Sequence, residues 1–287
     1  MSVKSKIGSI SIACLIAVAV PSSVGAQRAP FREGMARIPG GIFEMGIEER
    51  DIPKLQEKFK IKRAELFKEE VPRHSVTLAP FFMDRTEVTN KAFKRFVDKN
   101  PEWQKERISA ALHNGKYLQL WANGSFPAGQ KNYPVVYVTW YAASAFCRSL
   151  GKRLPTEAEW EFAARGALVG KEFSWGDEMP DKNRANFSGS GIGAPTEVAS
   201  YPPNGYGLYD MSGNVWELLA DEWGKYPKQK MVNPSTANDF LQVKTRRALR
   251  GGSFGGSAVN LRVTYRDSHL PENAVEHVGF RCVADAR

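Results

Sequence analysis

Glycine and proline punctuate this chain so closely that periodic helical segments are few and short. There are 25 glycines and 17 prolines in 287 residues. Interruptions at this density are incompatible with a helical bundle. The expected class is a loop-rich α+β domain. The length suits one large domain or two small ones with a real core, and no linker long enough to split the chain is evident. The apolar and charged fractions, 42% and 25%, are ordinary for a globular protein.

The first 26 residues read as a secretory leader and not as part of the fold. MSVKSK is a basic start, and Ile7 to Val20 is apolar and uncharged. Val24 and Ala26 then occupy the −3 and −1 positions of a cleavage site before Gln27. The apolar run is shorter than the ~18–20 residues of a spanning helix, so no stable membrane insertion is expected. Ser11 stands where a lipobox before Cys14 wants leucine. The expected organisation is a cleaved leader over 1–26 and one domain over 27–287, located in the periplasm.

Loss of Lys4 and Lys6 lowers the net charge from +9 to +7. No arginine-rich tract, zinc-finger spacing or stacking-aromatic motif accompanies that charge, so nucleic acid is not an expected partner. The densest basic stretch, Lys54 to Glu70, is interrupted by acids and reads as a solvated surface segment. Two cysteines remain after cleavage, Cys147 and Cys282. In an oxidising compartment they suggest one long-range disulfide, with a catalytic thiol as the alternative.

Local signals place several elements. Ile38 to Gly46 reads as a strand broken by a glycine pair, and the alternation after His74 predicts strands. Thr89 is an N-cap for a helix carrying Phe93, Phe96 and Val97 on one face. Residues 99–135 read as loop. Val135 to Val138 is expected to be a short strand, followed by a helix capped by Thr139 and ending at Gly151. In GKRLPTEAEWEFAARG, Thr156 and Glu159 form a capping box, so a helix starts at Glu157 with Trp160 and Ala163 or Ala164 inward. Cap and helix dipole explain Glu157 and Glu159 better than catalysis does. Residues 166–200 look irregular.

IPGGIFEMG, TEVTN with its following Phe, GKRLPTEAEWEFAARG, PPNGYGLYDMSGNVWEL, RGGSF and GFRC stand in one order along the chain. In that order they resemble the formylglycine-generating-enzyme-like (sulfatase-modifying-factor) proteins, across Arg37 to Asp285. The resemblance implies a compact, loop-rich α+β fold related to C-type lectins. It pairs Cys147 with Cys282. It also implies calcium at the LYDMSGNVWE turn, held by the Asp210 side chain, the Gly213 and Val215 carbonyls and the Glu217 side chain. Carboxylate and carbonyl oxygens suit that hard cation. A second family calcium site, at an Asn like Asn186, is expected to be missing or altered, because SGSGIGAP downstream carries no acid.

One departure from the family is decisive for chemistry. Two copper-binding cysteines follow the RGGS segment in authentic formylglycine-generating enzymes, as soft thiolates suit copper(I). Here no cysteine lies between Ser253 and Cys282, so no copper is expected. The Gly251–Gly255 stretch lacks the lysine of a phosphate loop and the strand–elbow–helix setting of a serine hydrolase.

The resemblance extends to a secreted branch without those cysteines, which matures the siderophore pyoverdine by oxidising the dihydropyoverdine chromophore. That implies an oxidoreductase acting on a small-molecule or peptide siderophore precursor, with oxygen as acceptor and other periplasmic maturation proteins as partners. A non-catalytic binding or assembly protein of the cell envelope is the alternative. Candidate acid–base groups are Glu276, His277 and His269. Ser253 and Arg250 are candidates for binding catechol oxygens, and Trp216 and Phe254 for stacking on the ring. Arg262 and Arg266 are expected to hold loop carbonyls and carboxylates such as Glu217; the alternative is that at least one faces the cleft and binds substrate. The four histidines at 74, 113, 269 and 277 show no close metal-ligand spacing.

Overall fold

The computed structural model describes Met1 and residues 33–234 and 240–286. The leader reading, with its cleavage site, lies outside the described residues. Among them, no helix is long and apolar enough to cross a membrane.

Among the described residues, three small sheets carry the fold. The first has the order β1-β4-β10, formed by Met35–Ile38, Phe81–Asp84 and Val283–Asp285. The second, β2-β3-β6, comes from Gly41–Met45, His74–Leu78 and Met231–Val232. The third, β8-β7-β5-β9, comes from Asp267–His269, Arg247–Arg250, Trp216–Glu222 and Val278–Gly279. The expected strand over Ile38 to Gly46 is thus two strands with a turn at the glycine pair. Gly40 takes φ +70°, and a Cβ there would stand 2.5 Å from the Leu78 carbonyl oxygen.

Among the described residues, α-helices fill the spaces between: α1 (Ile52–Phe59), α2 (Glu65–Lys68), α3 (Asn90–Lys99), α4 (Trp140–Ser149) and α5 (Glu157–Ala164). Thr89 caps α3 by accepting from the Ala92 N–H at 3.2 Å, and Phe93, Phe96 and Val97 are buried at helical spacing. Thr139 caps α4 in the same way. That helix ends at Ser149, two residues before Gly151. The Thr156–Glu159 capping box is formed from both sides, at 3.2 and 2.9 Å.

Two expectations need correction. Val135 to Val138 is not a strand. The Val135 N–H donates to Val88 and the Tyr137 N–H to Val275, so the run has no common ladder partner, and Tyr137 turns left-handed at φ +56°. The Lys54 to Glu70 segment is not wholly solvated, because Phe67 and Glu70 are fully buried.

The larger core packs α3 and α4 against the third sheet, with Phe93, Phe146 and Phe280 in mutual contact. The second core packs α5, led by Trp160, against the other two sheets and against Leu219 and Ala248 of the third. Cys147 on α4 is bonded to Cys282 just before β10, across 135 residues of sequence, and both are fully buried.

Candidate functional site

The glycine-rich stretch begins where β7 ends, and its first residue sets its architecture. Arg250 is fully buried. Its guanidinium donates to Glu157 and Glu161 at 2.9 Å each, to the Val263 carbonyl at 2.7 Å and to the Tyr226 hydroxyl. Arg266 forks onto both oxygens of Glu157, at 2.5 and 2.8 Å, and lies over the Tyr226 ring. Both carboxylates are pulled in different directions by this setting. Burial raises the pKa of Glu157 and Glu161, but the facing arginines outweigh it, and the net shift is downward. Buried charges persist only with such pairing.

Arg250 therefore has its donors committed to protein acceptors and cannot also bind a substrate oxygen. Arg266 is likewise committed. Arg262 pairs with Glu70 and not with Glu217. The partner of Glu217 is Arg281, which meets both its oxygens at 2.7 and 2.8 Å. Ser253 is buried. The Phe254 N–H donates to the Asn214 carbonyl, tying this loop to the turn before Trp216. Phe254 is 8% exposed.

A second group of candidates does come together. His269 ends β8 and His277 precedes β9, and their rings stand 6.0 Å apart, edge to face. The Trp216 N–H donates to the His277 carbonyl, and the Trp216 ring lies 6.0 Å from that of Tyr265. Burial lowers the pKa of both histidines against the opposing pull of Asp267 and, for His277, of Glu276. Nδ1 of His269 is buried without a hydrogen-bond partner. Glu276 is exposed, and the Tyr137 phenol stands beside it, its pKa raised by burial and then by Glu276. This brings base-competent imidazoles, a carboxylate and a protonated phenol together, while the Trp216 ring, 6% exposed, packs into the larger core.

Sequence reasoning missed Tyr137, Tyr265 and Asp267. Asp267 and Tyr265 lie inside the segment it singled out, between Arg262 and His269. Tyr137 gave no signal, since a tyrosine among valines reads as strand and its role depends on a left-handed backbone.

The proposed calcium turn is also laid out. Asp210, Gly213 and Asn214 all have positive φ, and a Cβ at Gly213 would meet the Asn186 carbonyl oxygen at 2.5 Å. The Asn186 carboxamide is engaged by Ala194 and Ser190. Oδ2 of Asp210 accepts from the Ala199 N–H, while its Oδ1 is buried with no partner. The same holds for Oε2 of Glu87, whose other oxygen accepts from Asn214 at 2.9 Å. Burial and then the proximity of Asp210 raise Glu87 well above the carboxylate range. Glu217 already accepts from Arg281 and from Trp160 Nε1. Among the described residues, no three His, Cys, Asp or Glu side chains converge as a metal cluster. Two orphaned carboxylate oxygens beside a carbonyl-bearing turn nevertheless fit a hard cation.

The sequence matches the model of the sulfatase-modifying factor enzyme 1-like domain over residues 21–286. This chain belongs to that family. The sulfatase-modifying-factor domain here is 32% identical to the formylglycine-generating enzyme of Streptomyces coelicolor, over 94% of this chain and 97% of that one. It is 33% identical to the inactive C-alpha-formylglycine-generating enzyme 2 of Bos taurus, over 88% of each. Among solved structures, PvdO from Pseudomonas aeruginosa superposes with a TM-score of 0.67 at 23% identity, covering 88% of this chain and 94% of that one. The variable protein 1 of Treponema denticola gives 0.63, also at 23% identity, with the same coverage. The family fold is thus this loop-rich α+β architecture.

Proposed function

We propose that this protein is a copper-independent oxidase of its family, acting in the periplasm on the catechol-fused ring of a siderophore precursor, dihydropyoverdine. The observation that carries the reading is the His269–His277–Glu276–Tyr137 cluster, in a family member without the copper cysteines. The two imidazoles are held as free bases at neutral pH by their burial. One of them, or Glu276, removes a proton from the ring system, and the Tyr137 phenol donates to the anion that forms. The ring gives up two electrons and two protons in all. Dioxygen accepts both and leaves as hydrogen peroxide, so no protein group changes redox state.

Calcium belongs to this proposal as a structural ion, with Asp210 and Glu87 as its carboxylates and the turn carbonyls of Gly213 and Val215 completing its shell. Bound there, it supplies positive charge that neutralises the buried acids. The turn it steadies carries Trp216.

The test is to mix the purified protein with dihydropyoverdine in air and to follow the absorbance and fluorescence of the mature chromophore. Conversion above the spontaneous rate, lost in His277→Ala and reduced in Glu276→Gln, supports the oxidase. An intact fold with no conversion refutes it and turns the reading to a binding protein of the cell envelope.

A further inference from the structure

A cavity of about 680 Å³ is lined by none of the residues of the histidine cluster. Of the sequence-derived candidates it takes only Arg262. Its volume is that of an ordinary small-molecule site.

One wall is aromatic. Phe43 from the edge strand β2 meets Phe162 of α5 edge to face at 5.3 Å, and Phe162 stacks with Tyr206 at 6.0 Å and 21°. The Tyr206 turn is held in advance of any ligand. Asn204 donates to the Ala163 carbonyl at the end of α5 and accepts from the N–H groups of Tyr206 and Leu208. A ring entering the cavity therefore meets a preformed aromatic face.

The other wall includes Arg262 and Arg165, each with a guanidinium Nε that is buried without a hydrogen-bond partner. Arg262 is 1% exposed. Its two terminal nitrogens are taken by Glu70 and Thr264, and its Nε has no hydrogen-bond partner. Glu172 brings an oxygen to 3.2 Å from that Nε, but off the N–H direction, so the contact is an ion pair only. Nε of Arg165 is likewise buried and unpartnered. Lys54 is exposed on the cavity lining. Buried donors left unpaired are costly, and a carboxylate is the acceptor that suits guanidinium geometry.

We propose that this cavity binds an aromatic carboxylate, with its ring on Tyr206 and Phe162. Its carboxylate displaces that of Glu172 and accepts from the Nε–H groups of Arg262 and Arg165. A neutral aromatic compound would leave those donors unpaired. An aliphatic acid would forgo the stacking. Glu172 is the resident competitor for the same donor.

The experiment is isothermal titration of the purified protein with 2-naphthoate, 2-naphthalenemethanol and octanoate. 2-Naphthoate is expected to bind one per chain, about tenfold or more tighter than either control. Tyr206→Ala should weaken it about tenfold, and Glu172→Gln should tighten it several-fold by removing the competing charge. His277→Ala should leave it unchanged, which keeps this site separate from the oxidase reading. Urea midpoints of the variants report that each is folded. No binding of 2-naphthoate, equal affinity for the alcohol, or weaker binding in Glu172→Gln would each overturn the assignment, as would loss of binding in His277→Ala.

Discussion

Asp221 offers a sharp test of the electrostatics that organise this interior. It lies in β5, and its Oδ2 accepts the Glu157 N–H at 2.7 Å. Burial, and then repulsion from Glu157, pushes its carboxyl up to about 7. In an unfolded chain an aspartate titrates near about 3.9. Between those values the folded protein keeps a proton that the unfolded chain releases. The contribution of this group to stability is therefore full below about pH 4 and is lost as pH rises through about 7. The gap corresponds to about 4 kcal/mol at about 1.36 kcal/mol per tenfold change in proton affinity. The side chain is only half-buried, and solvent screening reduces the expected effect to about 2 kcal/mol. Asp221→Asn keeps an acceptor for the Glu157 N–H and never ionises. Urea unfolding at pH 4.5 and pH 8 measures the outcome. The wild type should lose about 2 kcal/mol more than the variant over that range, leaving the variant the more stable at pH 8. Parallel stability profiles would refute the reasoning and place the Asp221 carboxyl in ordinary contact with water.

Two further outcomes follow from the same structure. The Cys147–Cys282 bond closes a separation of 135 residues, so the double change to serine should cost about 5 kcal/mol in the chain-entropy model; a loss under about 1 kcal/mol in urea unfolding would reject that account. Under the calcium proposal, metal-stripped protein should gain about 2.7 kcal/mol at calcium concentrations a hundredfold above Kd, and Asp210→Ala should abolish the gain. An unchanged melting temperature on adding calcium would remove the ion from that turn.

The readable parts of this sequence were its local ones. Capping at Thr89, Thr139 and Thr156 depends on an oxygen and an N–H three residues apart, and all three caps form. The glycine pair before β2 announced a turn because only glycine takes that backbone without a clash. The order of short motifs carried the family and its fold. The lack of a cysteine between Ser253 and Cys282 was legible in the same local way, as a departure from the family motif.

Long-range pairing decided the rest. Arg250, Arg262 and Arg281 look alike in sequence, each between small or apolar neighbours, and Arg266 differs only by the Asp267 beside it. Only packing assigned Arg250 to Glu157 and Glu161, Arg266 to Glu157, Arg262 to Glu70 and Arg281 to Glu217, across separations of 64 to 192 residues. Arg250 has its guanidinium spent on the fold, while Arg262 keeps an unpartnered Nε and borders a cavity, and that difference depends on geometry that no local pattern records. Tyr137 makes the same point from the backbone. Its run of β-branched neighbours favours a strand, yet hydrogen bonds to Leu118 and Val275 hold it left-handed and bring its phenol to Glu276. Local propensity is worth tenths of a kcal/mol per residue, and buried tertiary hydrogen bonds outweigh it.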